Sequence, residues 1–416
     1  MNSAPDIAII GAGAAGIGAA RRLAKTGLSV LVLEALPRLG GRAWTREATG
    51  YPLDMGCEWL HSGDRNAWTE IAEQSGFIVE RREPGWGVQY RDLGFTAAQQ
   101  EAAWAEFAAW NERLAASPPA SDCAADALAP DAEWTPYLQA LSGYISGDEL
   151  QRISARDYAA YDTASTDCNW RLPRGYGTLI ATSFPAGAEL CLATPVEAIG
   201  LGGSRVTLRT PAGEVSARAV ILTVSTSVLA GSAMQLPLAL DPWREAASRL
   251  PLGADEKLFL EITGPSPFAP ESHVIGDPHD PLTGSYNIRP YGRNVIGCFL
   301  GGAGARRAAA EGQPAAFDRA IGQLAALFGN EVRNCLRPLA ASDWAGTPSI
   351  GGAYSHALPG HAAMRGVLAQ PYDDRLFFAG EATHVTDFST AHGAYESGRR
   401  AAEEAIAALS SDVQIK

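Results

Sequence analysis

The sequence predicts an α/β fold whose parallel sheet begins at the amino-terminal end of the chain, and three features support this prediction. A short apolar run, Ile7–Ile10, is typical of a buried strand in a parallel sheet. It leads into the glycine-rich turn GAGAAG at 11–16 and then into an alanine-rich helical pattern that reaches about Lys25. A second apolar strand is predicted over Leu28–Leu33, and it ends in Glu34.

Each part of this pattern has a physical task in binding a dinucleotide. Gly11 permits a tight turn, Gly13 lets the backbone approach a pyrophosphate, and Gly16 lets the helix pack closely on the strand. The helix begins near Ala15, where free N–H groups and a partial positive charge face the phosphates. Glu34 is placed to accept hydrogen bonds from a ribose. Because the parts occur in the required order, the pattern favours a dinucleotide site over an ordinary glycine-rich turn.

Length, charge and cysteine content bound the possible functions. A chain of 416 residues buries more than one core, so we expect two domains, either sequential or interleaved. The net charge of −13 disfavours nucleic acid as a partner. The six cysteines contain no CxxC pair, which favours reduced thiols and predicts no metal site.

The sequence also bears on the cellular location and the oligomeric state of the protein. The apolar runs are too short to cross a bilayer, so no membrane partner is expected. The glycine-rich pattern starts within ten residues of Met1 and leaves no room for a signal peptide, so we expect a cytoplasmic protein. The sequence leaves the oligomeric state open between monomer and dimer.

A second phosphate-binding loop is predicted directly after Glu34. It consists of a glycine pair, Gly40 and Gly41, flanked by Arg38 and Arg42. The glycines let the backbone come close to a ligand while the guanidinium groups pair with phosphate. A second phosphate-binding loop favours FAD, the larger cofactor, over NAD.

Further candidate residues lie in three separate stretches. His61 belongs to a glycine-bounded loop over 54–63, although a lone histidine is more often a surface or hydrogen-bonded residue. Lys257 interrupts an apolar run, where a lysine is costly unless its ammonium reaches water or a partner. Without further context, an edge-strand lysine that faces solvent is the better interpretation. Trp344 and Tyr354 bound another glycine-rich loop.

The remaining secondary structure is predicted to be mixed. Helices are expected over 66–76, 96–116, 134–145, 147–155 and 315–328. Strands are expected over 189–192, 196–199, 205–210, 219–224 and within 250–263. Trp104 and Trp110 are expected in the core. A final strand near 375–381 precedes a helix whose N-cap is Ser389 or Thr390.

Taken together, these stretches resemble the flavin-containing amine oxidases, which include monoamine oxidases, polyamine and spermine oxidases and the flavin histone demethylases. The resemblance runs from Ile7 to about Ile406 and is strongest at the two glycine loops, around Lys257 and over 344–402. It implies an FAD-binding Rossmann-like domain of the glutathione-reductase type that is interleaved with an α+β substrate domain. The FAD domain would comprise 1–78, 172–240 and 346–416, and the substrate domain 79–171 and 241–345.

The resemblance also implies which residues contact FAD beyond the first glycine loop and Glu34. These residues are Gly40, Gly41 and Arg42 at the pyrophosphate, Val196 at the adenine end, Gly380 and Glu381 along the ribityl chain, and His392, Gly393 and Ala394 at the flavin. The last three begin a helix, and a helix N-terminus stabilises the negative charge of a reduced flavin.

The resemblance further implies the residues around the reacting amine. Lys257 matches the lysine that holds a water against flavin N5. Trp344 and Tyr354 match the aromatic residues beside the flavin, and Tyr354 would form one wall of a substrate cage. Thr390 stands where monoamine oxidases carry the second tyrosine wall, and His61 stands at the entrance as in spermine-type polyamine oxidases.

One departure from the monoamine oxidases concerns the attachment of the cofactor. These enzymes carry a flavin-linked cysteine just before the cage tyrosine, and this chain has Ala353 there. FAD is therefore expected to bind without a covalent bond.

The implied activity is oxidation of an amine. Hydride would pass from the carbon next to nitrogen to the flavin, the imine would be hydrolysed, and oxygen would reoxidise the flavin to give hydrogen peroxide. The predicted substrate is a polyamine or a diamine. Monoamine oxidation and L-amino acid oxidation are alternatives, and the latter needs an arginine such as Arg171 or Arg289. Carotenoid-type desaturases and protoporphyrinogen oxidases share this fold, and a non-catalytic flavin-stabilised interaction module is the alternative of another class.

Overall fold

Seventeen strands and twelve α-helices lie within the computed structural model, which describes residues 4–414 and the side chains of residues 4–410. The strands are β1 (Ile7–Ile10), β2 (Val30–Leu33), β3 (Thr45–Ala48), β4 (Tyr51–Asp54), β5 (Trp59–Leu60), β6 (Trp170–Arg171), β7 (Glu189–Cys191), β8 (Ala198–Gly200), β9 (Val206–Thr210), β10 (Gly213–Ala217), β11 (Ala219–Leu222), β12 (Asp255–Ile262), β13 (Ser272–Ile275), β14 (Ser285–Ile288), β15 (Val295–Gly301), β16 (Leu336–Ala341) and β17 (Leu376–Phe378). The helices are α1 (Ala14–Leu23), α2 (Ala67–Gln74), α3 (Ala97–Ala116), α4 (Thr135–Ser146), α5 (Ala155–Ala164), α6 (Tyr176–Thr182), α7 (Thr226–Ala230), α8 (Asp241–Ser248), α9 (Gly302–Glu311), α10 (Gln313–Phe328), α11 (Met364–Leu368) and α12 (Ala391–Gln414).

The predicted parallel sheet has five strands in the order β17-β11-β1-β2-β7. All its pairings are parallel, and Ile7 lies between Ala219 and Val30 in register. Every residue of β1, β2, β11 and β17 is buried. Continuous apolar strands of this kind suit a parallel sheet that is covered on both faces.

A second sheet is antiparallel and has the order β13-β14-β15-β12-β16. Strand β12 is an interior strand, and Lys257 lies opposite Phe299 of β15. The edge-strand interpretation of Lys257 is therefore wrong. Side chains alternate along a strand, so Asp255, Lys257 and Phe259 share one face while Leu258 and its alternate neighbours enter the core on the other.

Together these sheets confirm the predicted α/β class with a Rossmann-like sheet. The parallel sheet draws its strands from both ends and the middle of the chain, whereas the antiparallel sheet uses residues 255–341 only. The exact domain boundaries stay a prediction.

No helix within residues 4–414 is long and apolar enough to cross a bilayer.

Most of the predicted helices form at the expected places. Thr96 caps α3 through a capping box with Gln99, and Trp110 is buried in the core. Trp104 packs against the same core, but it also lines a cavity. Of the two predicted N-cap residues of α12, Thr390 is the one whose hydroxyl accepts from the Gly393 N–H at the start of the helix.

The helix predicted over 147–155 is wrong. Gly147 ends α4 in the left-handed region at φ +74°, and only a short 3₁₀ turn, Leu150–Arg152, follows it. The next helix, α5, begins after Ser154, whose hydroxyl accepts from the Asp157 N–H. The left-handed Gly147 ends one helix and the Ser154 N-cap begins the next, so the segment between them is not a continuous helix.

Helices α1 and α12 pack against each other through glycines. A Cβ atom added at Gly398 would lie 1.9 Å from the Ala15 carbonyl oxygen, and one at Gly18 would lie 2.5 Å from the Tyr395 carbonyl oxygen. The two backbones therefore approach to a distance that no side chain permits. This contact orients the start of α1 relative to the start of α12.

We predict that Gly398→Ala lowers the free energy of unfolding by about 1–3 kcal/mol, because the new methyl group overlaps backbone atoms of α1 that cannot move aside. The measurement is the urea midpoint of the purified protein. Gly366→Ala in α11 is the matched control, since a Cβ atom there meets nothing within 4 Å. Equal midpoints for the two variants would contradict the tight helix contact.

Candidate active site

A cavity of about 900 Å³ extends from the carboxyl ends of β1 and β2 to one face of the antiparallel sheet. Ligand pockets typically measure about 300–1,000 Å³, so this cavity has room for a large cofactor together with a small substrate. The predicted site residues that line it are Gly11, Gly13, Ala15, Glu34, Gly40, Gly41, Arg42, His61, Val196, Lys257, Trp344, Tyr354, Gly380, Glu381, Thr390 and Ala394. Gly16, His392 and Gly393 do not line it.

The two glycine loops meet at one end of the cavity. Gly40 donates its N–H to the Ala12 carbonyl at 2.9 Å, and a Cβ atom at Gly41 would lie 3.3 Å from the Gly13 Cα. Gly16 packs on the turn itself, because its Cβ would lie 1.9 Å from the Gly11 oxygen. The result is a backbone cradle without side chains, which fits the pyrophosphate of a dinucleotide.

Glu34 closes this cradle from the end of β2. Its carboxylate accepts the N–H of Ala12 at 2.6 Å and the N–H of Leu36 at 2.8 Å. Burial raises the pKa of Glu34, although these two N–H groups act in the opposite direction. Glu34 therefore holds the glycine loop in shape while it faces the cavity, at the place where a ribose hydroxyl is expected.

Arg42 and Glu381 form an ion pair beside the cradle, with Nη1 and Oε1 3.0 Å apart. Glu381 also accepts the Ser355 hydroxyl at 2.7 Å and the Ser389 N–H at 3.0 Å. Burial acts to raise the pKa of Glu381, but Arg42 and these donors outweigh it and hold the pKa below its usual value. The contact of Arg42 with the Ala353 carbonyl fixes the guanidinium further.

The start of α12 also reaches the cavity, through Ala391 and Ala394. The Thr390 hydroxyl donates to the Asp387 carbonyl at 2.6 Å and accepts from the Gly393 N–H at 3.0 Å, so it serves as the helix cap. The His392 ring lies outside the cavity wall, with Nε2 3.3 Å from an Asp387 carboxylate oxygen. Successive side chains of a helix point in different directions around its axis. This turn directs Ala391 and Ala394 toward the cavity and His392 away from it.

Lys257 is paired with a residue that sequence reasoning missed. Its ammonium donates to Glu58 Oε2 at 2.7 Å and to the Asp54 carbonyl at 3.1 Å. Burial acts to raise the pKa of Glu58, but the charge and the hydrogen bond of Lys257, together with the charges of two nearby arginines, outweigh it and lower the pKa. An ammonium has three N–H donors, so one remains for a water or a ligand in the cavity. Glu58 lies three residues before His61, in the same glycine-bounded loop over 54–63.

The strand that carries Lys257 also positions Trp344. Glu256, on the opposite face of β12, accepts the Trp344 N–H at 2.7 Å. The Trp344 indole donates to the Met55 carbonyl at 3.2 Å and meets Trp44 edge to face at 6.5 Å. These contacts hold the indole rigidly in the cavity wall.

Tyr354 occupies the wall near Tyr144. Its hydroxyl donates to the Tyr144 carbonyl at 2.5 Å, and both rings line the cavity. Thr390 lines the cavity as well, but its hydroxyl is engaged in capping α12. The geometry thus brings together the residues of the predicted cage without a second aromatic wall at Thr390.

His61 lies in an aromatic part of the cavity. Its Nδ1 is 2.7 Å from Asn169 Oδ1, which assigns the proton to Nδ1 and leaves Nε2 as an acceptor. Burial lowers the pKa of His61 to about 4, so the ring is neutral at neutral pH. Trp86, which sequence reasoning also missed, lies 6.0 Å from His61 and 4.5 Å from Trp59 between ring centroids.

The two arginines considered for binding a substrate carboxylate are engaged elsewhere. Arg171 pairs with Glu271 at 2.8 Å and stacks on Tyr291 at 4.6 Å. Arg289 donates to the Phe268 and Gly292 carbonyls at 3.3 Å. Neither is among the residues that line the cavity.

Two family descriptions match this chain. The description "Flavin containing amine oxidoreductase" matches residues 92–406, and "NAD(P)-binding Rossmann-like domain" matches residues 9–75. The two matches do not overlap in sequence, but both contribute strands to the parallel sheet, since the end of β1 and all of β2 lie in the shorter match and β7, β11 and β17 in the longer one.

Full-length relatives extend the comparison. Polyamine oxidase 4 of Oryza sativa subsp. japonica is 27% identical over 97% of this chain and 88% of its own length. Lysine-specific histone demethylase 2 of Homo sapiens is 25% identical over 97% of this chain and 53% of its own length. A solved structure of putrescine oxidase bound to putrescine superposes with a TM-score of 0.75 at 19% identity, over 98% of this chain and 100% of that one, which shows a common fold.

We predict that Glu58→Gln lowers the free energy of unfolding at pH 7 by about 1–3 kcal/mol, because it leaves the Lys257 ammonium without its counter-charge. The folded pKa of Glu58 is lowered, so its stabilising contribution is present above the ordinary value of 4.5 and is lost as the pH falls through the folded value. The difference from wild type should therefore shrink below about pH 4.5.

The measurement is urea unfolding of the flavin-saturated protein at pH 7 and pH 4. Glu47→Gln is the matched control, because Glu47 is an exposed residue on β3. A loss of the same size at both pH values would show that Glu58 acts through packing and not through its charge.

Proposed function

Because this chain belongs to the flavin containing amine oxidoreductase family, we propose that it is an FAD-dependent oxidase of diamines or polyamines. The observation that carries the substrate class is the charge of the cavity, where acids outnumber bases. The lining acids are Glu34, Glu58, Asp162, Asp167, Asp255 and Glu381, and the lining bases are Arg42 and Lys257. Both bases are already paired with an acid, so the cavity favours a cationic substrate.

The names of the related proteins support the same substrate class. One relative is named for polyamine oxidation, and the solved structure of similar fold is named for putrescine, a diamine. L-amino acid oxidation receives no comparable support, because Arg171 and Arg289 both have other partners.

The cofactor and the protein divide the chemistry between them. When bound, the flavin supplies the acceptor for the hydride that leaves the carbon next to the amine nitrogen. The glycine cradle, Glu34 and Arg42 would hold this cofactor. Lys257 keeps one N–H free to hold a water in the cavity, and Glu58 fixes the direction in which it points.

The aromatic part of the cavity admits the amine and excludes water. Neutral His61 offers Nε2 as an acceptor for an amine N–H, a role that an imidazolium ring does not fill. Trp59, Trp86 and Trp104 surround the chain of the substrate with apolar surface. Hydride leaves readily only when the reacting nitrogen keeps its lone pair, and such a dry site favours the neutral amine.

We propose that FAD is held without a covalent bond. Ala353, which lines the cavity, lacks a thiol, and burial raises the pKa of both cavity cysteines, Cys57 and Cys298. Both are therefore thiols at neutral pH, and a thiol is a poor nucleophile. All six cysteines are free, which supports the proposed cytoplasmic location.

The proposed function predicts the outcome of an amine panel. Under anaerobic conditions, diamines and polyamines should bleach the flavin absorbance faster than monoamines of equal chain length, because the acidic cavity binds the additional charge. In air, the same substrates should release hydrogen peroxide. Oxidation of L-amino acids without oxidation of any simple amine would overturn the substrate class.

The proposed role of Lys257 predicts that Lys257→Met leaves FAD bound but slows flavin reduction, reoxidation or both by at least about 10-fold, since one charge-assisted hydrogen bond is lost. Methionine keeps the length of the side chain without its donors. Stopped-flow measurement of the two half-reactions gives the rates, and flavin absorbance gives the occupancy. Lys25→Met, at an exposed position, is the control, and half-reactions equal to wild type for Lys257→Met would assign Lys257 a structural role only.

A further inference from the structure

Arg365 is a buried cation that does not line the cavity and has no part in the proposed chemistry. It belongs to α11 and is only 1% exposed. A guanidinium group carries five N–H donors, and this one makes five hydrogen bonds. Two go to the Asp157 carboxylate at 2.6 and 2.8 Å, one goes to the Ser355 hydroxyl at 3.0 Å, and the Ser355 and Ala382 carbonyls accept one each at 3.3 Å. These bonds fix the group in both position and orientation.

The contacts of Arg365 surround the Glu381 carboxylate, which lines the cavity and pairs with Arg42 of the cradle. A guanidinium N–H can only donate, so the Ser355 hydroxyl accepts from Arg365 and turns its own proton toward Glu381. It donates to this carboxylate at 2.7 Å. The hydrogen bond from Arg365 to the Ala382 carbonyl fixes the backbone directly after Glu381. Arg365 therefore sets the direction of one donor to Glu381 and the path of the chain that carries it.

A third segment that binds Glu381 also packs on Arg365. The Phe388 ring covers the guanidinium group, whose central carbon lies 3.5 Å from the ring centroid. The next residue, Ser389, donates its N–H to Glu381 at 3.0 Å. Its hydroxyl donates at 2.8 Å to the Ser355 carbonyl, which also accepts from Arg365. Both serines that donate to Glu381 are thus held by contacts with Arg365.

The other side of Arg365 reaches the helix that forms one wall of the cavity. Its partner Asp157 lies in α5 and is 3% exposed. Three further residues of this helix line the cavity, namely Tyr158, Tyr161 and Asp162. Desolvation offsets the attraction within a buried ion pair, so such a pair adds little net stability but can fix one arrangement of the segments that it joins. Here the joined segments are the α5 wall and the chain around Glu381.

We propose that Arg365 is a positioning residue that holds the Glu381 carboxylate and the α5 wall in one arrangement, an inference that rests on the proposed function and its binding of FAD in this cavity. Arg365 acts on the cofactor through Ser355 and Glu381. It acts on the amine through Asp157 and the cavity residues of α5. The planar guanidinium group is required, because a lysine ammonium would keep the charge but could not pair with the carboxylate and Ser355 at once in the same geometry.

The test is a double-mutant cycle of Arg365→Lys and Ser355→Ala, in which flavin fluorescence gives the dissociation constant of FAD. Each single substitution should weaken FAD binding by about 10- to 100-fold, the range for loss of one hydrogen bond to a charged group. Both substitutions interrupt the same path to Glu381, so the combined variant should lose no more than about threefold beyond the weaker-binding single variant. Arg205→Lys is the matched control, because Arg205 also makes several hydrogen bonds but lies outside the cavity.

Two further measurements separate positioning from a general effect on folding. The urea midpoint of the FAD-free protein shows which variants are folded under the conditions of the binding assay. With FAD saturating, Arg365→Lys should raise KM for putrescine by a larger factor than it lowers kcat, because α5 loses its anchor, whereas the hydrogen bonds of Lys257 and Trp344 involve other residues. Ser355→Ala leaves the pair of Arg365 and Asp157 in place, so it should change KM less than Arg365→Lys does.

Three results would overturn the inference while the proposed function stands. Losses of FAD affinity that multiply in the combined variant would show that Arg365 and Ser355 act independently. FAD affinity equal to wild type in either single variant would remove the path to Glu381. A fall in kcat without a rise in KM would remove the action on the α5 wall.

Failure of the proposed function looks different. If wild type binds FAD but does not oxidise putrescine or any other amine, the proposed function fails, and the FAD cycle still decides the role of Arg365. If wild type binds no FAD, both fail together. If Arg365→Lys does not fold, the FAD affinity of Ser355→Ala decides, and failure of both to fold would assign these residues to the fold and overturn the proposal.

Discussion

The ion pair between Arg42 and Glu381 is the contact on which the geometry of the cavity depends. Arg42 belongs to the second glycine loop, Glu381 follows β17, and the Glu381 carboxylate also accepts from Ser355 and Ser389. Segments from both ends of the chain therefore converge on one buried carboxylate. Buried pairs add little net stability because desolvation offsets their attraction, but removing one partner costs about 3–5 kcal/mol. The pair consequently fixes where these segments meet, and so the position of the cradle relative to α12.

Strand β12 connects that cradle to the substrate end through the alternation of its side chains. Lys257 faces the cavity and pairs with Glu58, whereas Glu256 faces the other way and holds the loop of Trp344. A shift of register by one residue would exchange these roles, because the side-chain period of a strand is two. The interior position of β12 in the sheet, between β15 and β16, prevents such a shift. One strand thus sets the directions of both a charged and an aromatic wall.

The charges of the cavity are arranged so that both of its cations are paired with acids and acids remain in excess. Arg42 and Lys257 each have a carboxylate partner, and burial keeps His61 neutral. A cationic ligand therefore meets no uncompensated positive charge in the cavity wall. In a site of low dielectric, this asymmetry has a larger effect than the same charges would have at the surface.

The sequence by itself determined the elements whose signals are contiguous: β1, the glycine turn, Glu34, the second glycine loop and the capped helix α3. Their geometry follows from hydrogen bonds and steric limits within a few residues, which a local pattern encodes. Even there, a left-handed Gly147 interrupted a helix that the pattern made continuous. Only the tertiary structure decided that Lys257 pairs with Glu58, 199 residues away, and that Arg42 pairs with Glu381, 339 residues away. Such contacts depend on the path of the chain between distant segments, and no local pattern specifies that path.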